Sequence, residues 1–212
     1  MRASVIVPTW NGAKKLPDTM EALCNQGFHD FETIIVVDGS TDSTLELLSG
    51  YQDRLRNLKV HVQDNKGRAG SRNTGAHLAS ADLLIFIDDD IEVAPDNIQR
   101  HMQFHQDKKG DVLVGKAVLD ERRIEGDSFL LYRFAQETDW NKKHVEGLNK
   151  ITFQDYVFST QNMSLSKSVF FSAGSFDERL SDSEDFDLSI RLLSKGLQMY
   201  YDTTLMVLHH DY

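Results

Sequence analysis

A chain of 212 residues with a net charge of −10 and a single cysteine is long enough for one domain with a substantial core and needs no disulfide staples. The acidic balance argues against a nucleic-acid partner, because phosphate neutralisation needs a basic face. An anionic nucleotide stays within reach if a divalent cation and a few local basic groups supply positive charge.

The N-terminus enters Ser4-Val5-Ile6-Val7 at once, which reads as a first strand and not as a signal peptide. A helical pattern follows through Leu16, Met20, Leu23 and Cys24, and the lone Cys24 is expected to be buried packing. Thr33 to Val37 is a β-branched run. Beyond it Ser40, Thr41 and Asp42 offer caps to a helix carrying Leu45, Leu47 and Leu48, ending near Gly50. Leu58 to Val62 reads as a strand, Arg68 to Leu78 as a helix and Leu83 to Ile87 as a fourth strand. This order predicts an α/β fold, a mainly parallel sheet with helices on both faces. Ligands of such sheets gather beyond the carboxyl ends of the strands.

The second half is less regular. Val112 to Leu119 is strand-like, Phe129 to Phe134 helical and Val157 to Ser164 extended. Ser181 to Lys195 has a helix signature whose buried stripe is expected to include Phe186, Ile190 and Leu193, and Leu205 to Leu208 closes the sheet. No apolar run reaches the roughly 20 residues that cross a bilayer. The expected address is cytoplasmic, with peripheral contact at the inner face of the membrane left open. The absence of repeats or linkers predicts a single domain over 1–212.

Three strand ends are polar and compact: Pro8 to Gly12, Asp38 to Asp42 and Asp88 to Asp90. Asp88-Asp89-Asp90 follows an apolar strand, and adjacent carboxylates repel unless a hard divalent cation such as Mg²⁺ or Mn²⁺ relieves them. Alternate side chains share a face, so Asp88 and Asp90 point together and Asp89 away; an acidic turn capping the next helix is the bland reading. Asp38 follows Ile34 to Val37 and suits the N3–H of a uracil or thymine ring, or else an Asx-type turn. The stretch from Asn65 to Gly75 concentrates basic and small residues. Its Lys66, Arg68 or Arg72 can face a diphosphate or nucleobase, or form a solvated helix start.

Ser181 with Glu184 fits a capping box, which leaves Asp185 unexplained. A carboxylate in a first helical turn is held ionised by the helix dipole, as a general base requires, although a purely structural role fits the same position. Of the adjacent His209 and His210, at most one is expected to reach a given metal.

In this order the segments resemble the inverting family 2 glycosyltransferases with the GT-A fold, over nearly the whole chain. Val5 to Gly12 looks like the family's first strand and donor loop, with Pro8, Thr9 and Asn11 on the donor side. Asp38-Gly39-Ser40-Thr41-Asp42 resembles its second-strand turn, Arg72-Asn73-Thr74-Gly75 its Arg-Asn-x-Gly element and Asp88-Asp89-Asp90 its Asp-x-Asp motif. Gln161-Asn162-Met163-Ser164 resembles the acceptor-side strand, Gly174 to Glu178 the Gly-Gly-Phe-Asp-Glu turn, and Glu184-Asp185 through Arg191 the Glu-Asp helix.

That resemblance implies a GT-A fold, a mainly parallel mixed sheet flanked by helices, with a nucleotide-sugar half over about 1–95 and an acceptor half over about 96–212. It implies donor contacts from Pro8, Thr9, Asn11, Asp38, Lys66, Arg68, Arg72, Asp88 and Asp89, with Asp88 at the ribose or the metal. Asp90 and His209 hold Mn²⁺ or Mg²⁺, Asn162 and Glu184 face the acceptor, and Asp185 is the catalytic base. The expected reaction passes a sugar, from UDP in preference to dTDP or GDP, to a saccharide or lipid-linked hydroxyl with inversion. Val37 and Ser175 depart from the family's Asp and Gly. The chain stops just after the histidines, where relatives often continue, so a C-terminal acceptor-binding or membrane-associating segment is expected to be absent from this stretch. A retaining transferase, a nucleotidyltransferase and a non-catalytic nucleotide-binding module are the rival readings.

Overall fold

The computed structural model describes residues 2–107, 109–121, 127–141, 143–155 and 159–210. Four strands run parallel at one side of the sheet, in the spatial order β3 (Leu58–Gln63), β2 (Phe31–Asp38), β1 (Ala3–Thr9) and β4 (Leu83–Ile87). The sheet then continues with β8 (Asn162–Ser166), antiparallel to β4, and β6 (Val112–Leu119), antiparallel to β8. Strand β9 (Met199–His209) lies parallel to β6 and carries β5 (Ile91–Val93) and β7 (Leu148–Lys150) as antiparallel neighbours. The mixed α/β architecture of the expectation is what forms.

Alternation along the central strands explains the layers. Ile6, Ile34, Leu84 and Phe86 face one way, toward Ala69 and Ala76 of α3 (Gly67–Leu78), Phe170 of α6 (Lys167–Ser172), and Leu188 and Leu192 of α7 (Glu184–Ser194). Val5, Val7, Ile35, Ile85 and Ile87 face the other way. They meet Leu16, Met20 and Leu23 of α1 (Leu16–Cys24), Leu48 of α2 (Thr44–Ser49), and Ile98 and Met102 of α4 (Asn97–Gln106). Covered on both faces, these strands read as unbroken apolar runs. Helix α5 (Ser128–Asn141) completes the set, and among the described residues no helix is long and apolar enough to cross a membrane.

Two expectations are corrected by packing. Helix α7 buries Leu188 and Leu192, whereas Phe186 and Ile190 are exposed and Leu193 is only half-buried. The Ser181–Glu184 capping box does not form either: the helix is preceded by Ser183 at φ 64 without a side-chain cap, and the Glu184 carboxylate binds Arg72 instead. Cys24 is half-buried. The expected extended segment from Val157 begins outside the described residues; its described part runs into β8.

Beyond Gly115 the pairing of β6 with β9 jumps from Asp202 to Met206. This bulge is held by Arg100, which donates to Thr204 O at 2.8 Å, Thr204 Oγ1 at 2.6 Å and Asp202 Oδ2 at 3.1 Å. A bulge re-aims the rest of its strand, and in β9 the re-aimed segment ends at His209.

Candidate active site

The chain runs from β1 outward to β2 and β3, then crosses back to β4 on the other side of β1. The crevice at the carboxyl ends of β1 and β4 is therefore the topological switch point where ligands of open α/β sheets bind. A cavity of about 510 Å³ occupies it. Pro8, Thr9 and Trp10 enter from β1, Asp38 from β2, Asn65, Gly67, Arg68 and Arg72 from α3 and the turn before it. Asp88, Asp89 and Asp90 enter from β4, Lys15 from the start of α1, and Gln161 and His209 from the opposite wall.

Each of the three aspartates has a cationic or imidazole partner from a different element. Asp88 Oδ1 accepts from Arg72 Nη2 at 2.6 Å. Asp89 accepts from Thr9 Oγ1 at 2.7 Å and pairs with Lys15 Nζ at 3.2 Å. Asp90 Oδ2 lies 3.4 Å from His209 Nε2. Burial and the neighbouring Asp90 charge raise the Asp89 pKa, with Lys15 and Thr9 opposing. For Asp90 burial acts in the same upward sense, but the hydrogen bond and charge of His209 outweigh it and leave the pKa lowered.

Among the described residues no three acidic, histidine or cysteine groups form a ready-made cation cage. Asp90 and His209 still suit a divalent ion. A hard cation bound with a diphosphate takes one or two protein ligands and completes its shell with phosphate oxygens and water, and a carboxylate with an imidazole is a donor pair that Mn²⁺ accepts.

Asp38 is 3 % exposed, and both of its oxygens are engaged. Oδ1 accepts from Gln63 Nε2 at 2.7 Å and Lys66 N at 2.8 Å, and Oδ2 from Gly67 N at 2.8 Å. It shapes the turn into α3 and also lines the cavity. Lys66 contributes that backbone N–H but is not part of the cavity wall. Asn11, at φ 49, ties the first two strand-end loops together by accepting from Thr41 N at 2.8 Å and donating its own N–H to Ser40 Oγ at 2.9 Å. It too stands behind the wall.

Among the described residues Arg72 is the one arginine or lysine that is fully buried. Its Nη1 reaches Glu184 Oε1 at 2.5 Å and its plane lies over Phe176. Burial works against its charge, but Asp88 and Glu184 prevail and raise its pKa. Glu184 is thus a buried counter-ion and not an open acceptor contact. Asp185, beside it, accepts from Phe186 N at 2.7 Å. Burial, together with the Glu184 and Asp88 charges, raises the Asp185 pKa against the pull of Arg72. Any pull of the helix N-terminus toward the ionised form is outweighed by desolvation, which leaves this carboxylate's pKa above its ordinary value.

Asn162 sits inside the fold and not at the cavity. Its Oδ1 receives His101 Nε2 at 2.7 Å and Asn97 Nδ2 at 3.2 Å, and its Nδ2 donates to Leu205 O at 3.2 Å, in the β9 bulge. Because an amide oxygen only accepts, His101 Nε2 must carry the hydrogen. Its Nδ1 then accepts from the Ser164 hydroxyl at 2.7 Å, which in turn accepts from His105 Nε2 at 2.9 Å. Burial holds both histidines at a pKa of about 4, so the neutral forms this chain of bonds requires are the forms present at neutral pH. The neighbour of Asn162, Gln161, does reach the site, where its amide contacts His209 Nδ1 at 3.1 Å.

His210 faces the other way from His209, with Nε2 3.0 Å from Glu92 Oε2 and Nδ1 3.2 Å from Asp120 Oδ2. Its N–H donates to Asp90 O at 2.9 Å. Ser175, at φ 60, occupies a left-handed position that favours glycine. That accounts physically for the glycine found there in the resembling family. Lys15, Trp10 and Gln161 join the site beyond the residues expected there; Trp10 and Gln161 lie in segments the resemblance covers, whereas the role of Lys15 depends on a partner far away in the chain.

The model of the family described as "Glycosyl transferase family 2" matches residues 4–171. Validoxylamine A glucosyltransferase of Streptomyces hygroscopicus subsp. jinggangensis is 32% identical over 92% of this chain and 52% of its own length. The chain spans between about half and two thirds of the length of such curated relatives. Staphylococcus aureus TarS in complex with UDP-GlcNAc superposes with a TM-score of 0.80 at 23% identity, covering 100% of this chain and 59% of that one. The mannosyltransferase PcManGT of Pyrobaculum calidifontis, in complex with GDP-Man and Mn²⁺, gives 0.72 at 18% identity, covering 98% and 56%. Both likenesses concern the fold.

Proposed function

The chain belongs to glycosyl transferase family 2, and we propose that it moves a sugar from a nucleoside diphosphate donor, a UDP-sugar by preference, to an acceptor hydroxyl with inversion. The observation that carries this reading is the cavity of about 510 Å³ at the switch point of the sheet, walled by Asp38, Arg72, Asp88, Asp90 and His209. Its volume falls in the range of sites that take ligands of nucleotide size.

The donor occupies the half over about 1–95, its base toward Asp38 and its diphosphate toward Asp90 and His209. Pro8 and Thr9 line its path and Arg68 stands at the mouth. Asp90 and His209 would hold Mn²⁺ or Mg²⁺, as Mn²⁺ accompanies GDP-Man in PcManGT, and the ion would supply charge neutralisation of the leaving diphosphate. Asp88 keeps one oxygen on Arg72 and offers the other to the ribose or the cation. Asp185 accepts the acceptor proton while the acceptor oxygen forms its bond to the anomeric carbon on the face opposite the breaking bond to diphosphate. The raised pKa of Asp185 suits it to hold that proton.

The acceptor, a saccharide or a lipid-linked glycoconjugate, approaches from the half over about 96–212. A lipid-linked acceptor implies work at the inner face of the membrane. Thermal-shift measurements across UDP-, dTDP- and GDP-sugars, with and without Mn²⁺, test the donor class, because ligands raise apparent stability by mass action. Metal-dependent stabilisation by one nucleotide series, followed by a product of inverted anomeric configuration, is expected. Indifference to every nucleoside diphosphate sugar would remove the reading.

A further inference from the structure

We propose that Lys15 is a further donor-binding residue: its ammonium, moored on Asp89, contacts the diphosphate of the nucleotide sugar. The inference rests on the nucleotide-sugar reading of the cleft and adds to it a cation that no motif marks.

The mooring is built by a tight turn. Lys15 N donates to Gly12 O at 3.0 Å, and Gly12 N donates to Thr44 Oγ1 at 2.8 Å. A Cβ on Gly12 would fall 2.1 Å from Thr9 Oγ1, the hydroxyl that donates to Asp89. The absence of a side chain at Gly12 therefore lets Thr9 and Lys15 converge on one carboxylate. Lys15 Nζ straddles it, 3.3 Å from Oδ1 and 3.2 Å from Oδ2. An ammonium has three hydrogens, so Asp89 leaves donor capacity, and the Lys15 side chain is 27% exposed along the cavity wall.

Charge at the cavity points the same way. An incoming diphosphate meets three carboxylates in a row. Arg72 is buried, with both terminal nitrogens given to Asp88 and Glu184. Arg68 leans outward, its side chain 70% exposed and 3.5 Å from Asp182. Among the described lysines and arginines of the wall, Lys15 is the one neither buried between two carboxylates nor turned out to solvent. It turns Asp89 from a repelling charge into a fixed anchor for a cation, and unlike a bound metal it remains in place when the donor leaves.

Nucleotide binding to the parent, Lys15→Met, Lys15→Arg and the double variant Lys15→Met with Asp89→Asn separates a phosphate contact from mere balancing of Asp89. UDP and GDP are compared with uridine and guanosine, in EDTA and with Mn²⁺. Lys15→Met is expected to weaken the diphosphate about tenfold or more, the scale of a lost charged hydrogen bond, and to leave the nucleoside unchanged. Lys15→Arg recovers most of the loss. The double variant, relieved of the unpaired carboxylate, melts like the parent yet still binds the diphosphate weakly. Parental diphosphate affinity in the double variant, or equal losses for nucleoside and diphosphate, overturns the inference. A parent that binds neither UDP nor GDP overturns the functional reading and this inference together.

Discussion

Arg72 and Glu184, 112 residues apart in the chain, meet at 2.5 Å with 3% and 6% of their side chains exposed. Since Arg72 also holds Asp88, one guanidinium joins the end of β4 to the first turn of α7. The donor-side carboxylates and the proposed base are thereby fixed relative to each other.

Breaking that joint is expected to be costly. Arg72→Met leaves Glu184 buried without its cation, and removing one member of a buried pair destabilises by about 3–5 kcal/mol. Arg72→Lys offers a point charge in place of a fork and cannot keep both carboxylates, so an intermediate loss is expected. Urea unfolding of the three proteins measures both; a Met variant within about 0.5 kcal/mol of the parent would mean that the pair holds nothing together.

Asp90→Ala and His209→Ala are each expected to abolish the gain in UDP affinity that Mn²⁺ confers, because they remove the oxygen and nitrogen ligands that face each other at 3.4 Å. Asp89→Asn is expected to keep that gain, its carboxylate being taken up by Thr9 and Lys15. Calorimetry at matched Mn²⁺ concentrations distinguishes them. Loss of the gain in all three would add Asp89 to the ligand set of Asp90 and His209.

The linked pair of buried His101 and half-buried His105 predicts acid lability in a defined window. Burial depresses both pKa values to about 4, against an ordinary value of 6.5, so the unfolded chain binds protons between these limits and the folded chain does not. The stabilisation is complete above pH 6.5 and lost as pH falls toward 4, by up to roughly 1.4 kcal/mol per unit for each histidine. His101→Gln is expected to flatten that slope in urea unfolding at pH 7, 6 and 5. An unchanged slope would show that the His101 proton does not matter to folding here. Glu32, held at a pKa of about 2 against burial by Lys59, Ser4 and Ser80, gives way only in more acid solution.

The central strands are legible in the sequence because burial on both faces leaves an uninterrupted apolar signal; Leu83–Ile87 and Val112–Leu119 form with the expected limits. Strands β5 and β7, three residues each, carry no such signal, and α4 hides its inward face behind Asn97 and His101. In α7 two apolar pairs compete at the same spacing, Phe186 with Ile190 and Leu188 with Leu192. The tie is broken by Glu184, which Arg72 draws inward, a contact that local periodicity cannot contain. Lys15 is silent in the sequence for the same reason: the aspartate that gives it a role lies 74 residues away.

Asp185 carries the heaviest mechanistic claim and makes opposite demands on activity and stability. Its pKa is raised by burial and by Glu184 and Asp88, so the folded protein takes up its proton more readily than the unfolded chain. The ionised form therefore costs stability above the folded pKa, and the cost fades as pH falls. Asp185→Asn removes that charge at nearly constant size, and its melting temperature at pH 7 is expected to equal or exceed the parent's. Transfer, which needs the ionised base, is expected to fall by about two to four orders of magnitude, with UDP affinity unchanged. In the parent, the acid limb of the kcat profile is expected above the ordinary aspartate range, since protonation of this base stops the reaction. Paired measurements of melting, UDP affinity and kcat on both proteins decide the matter. Undiminished transfer by Asp185→Asn would withdraw the base from this residue and leave a retaining course, which needs no such group, as the better account.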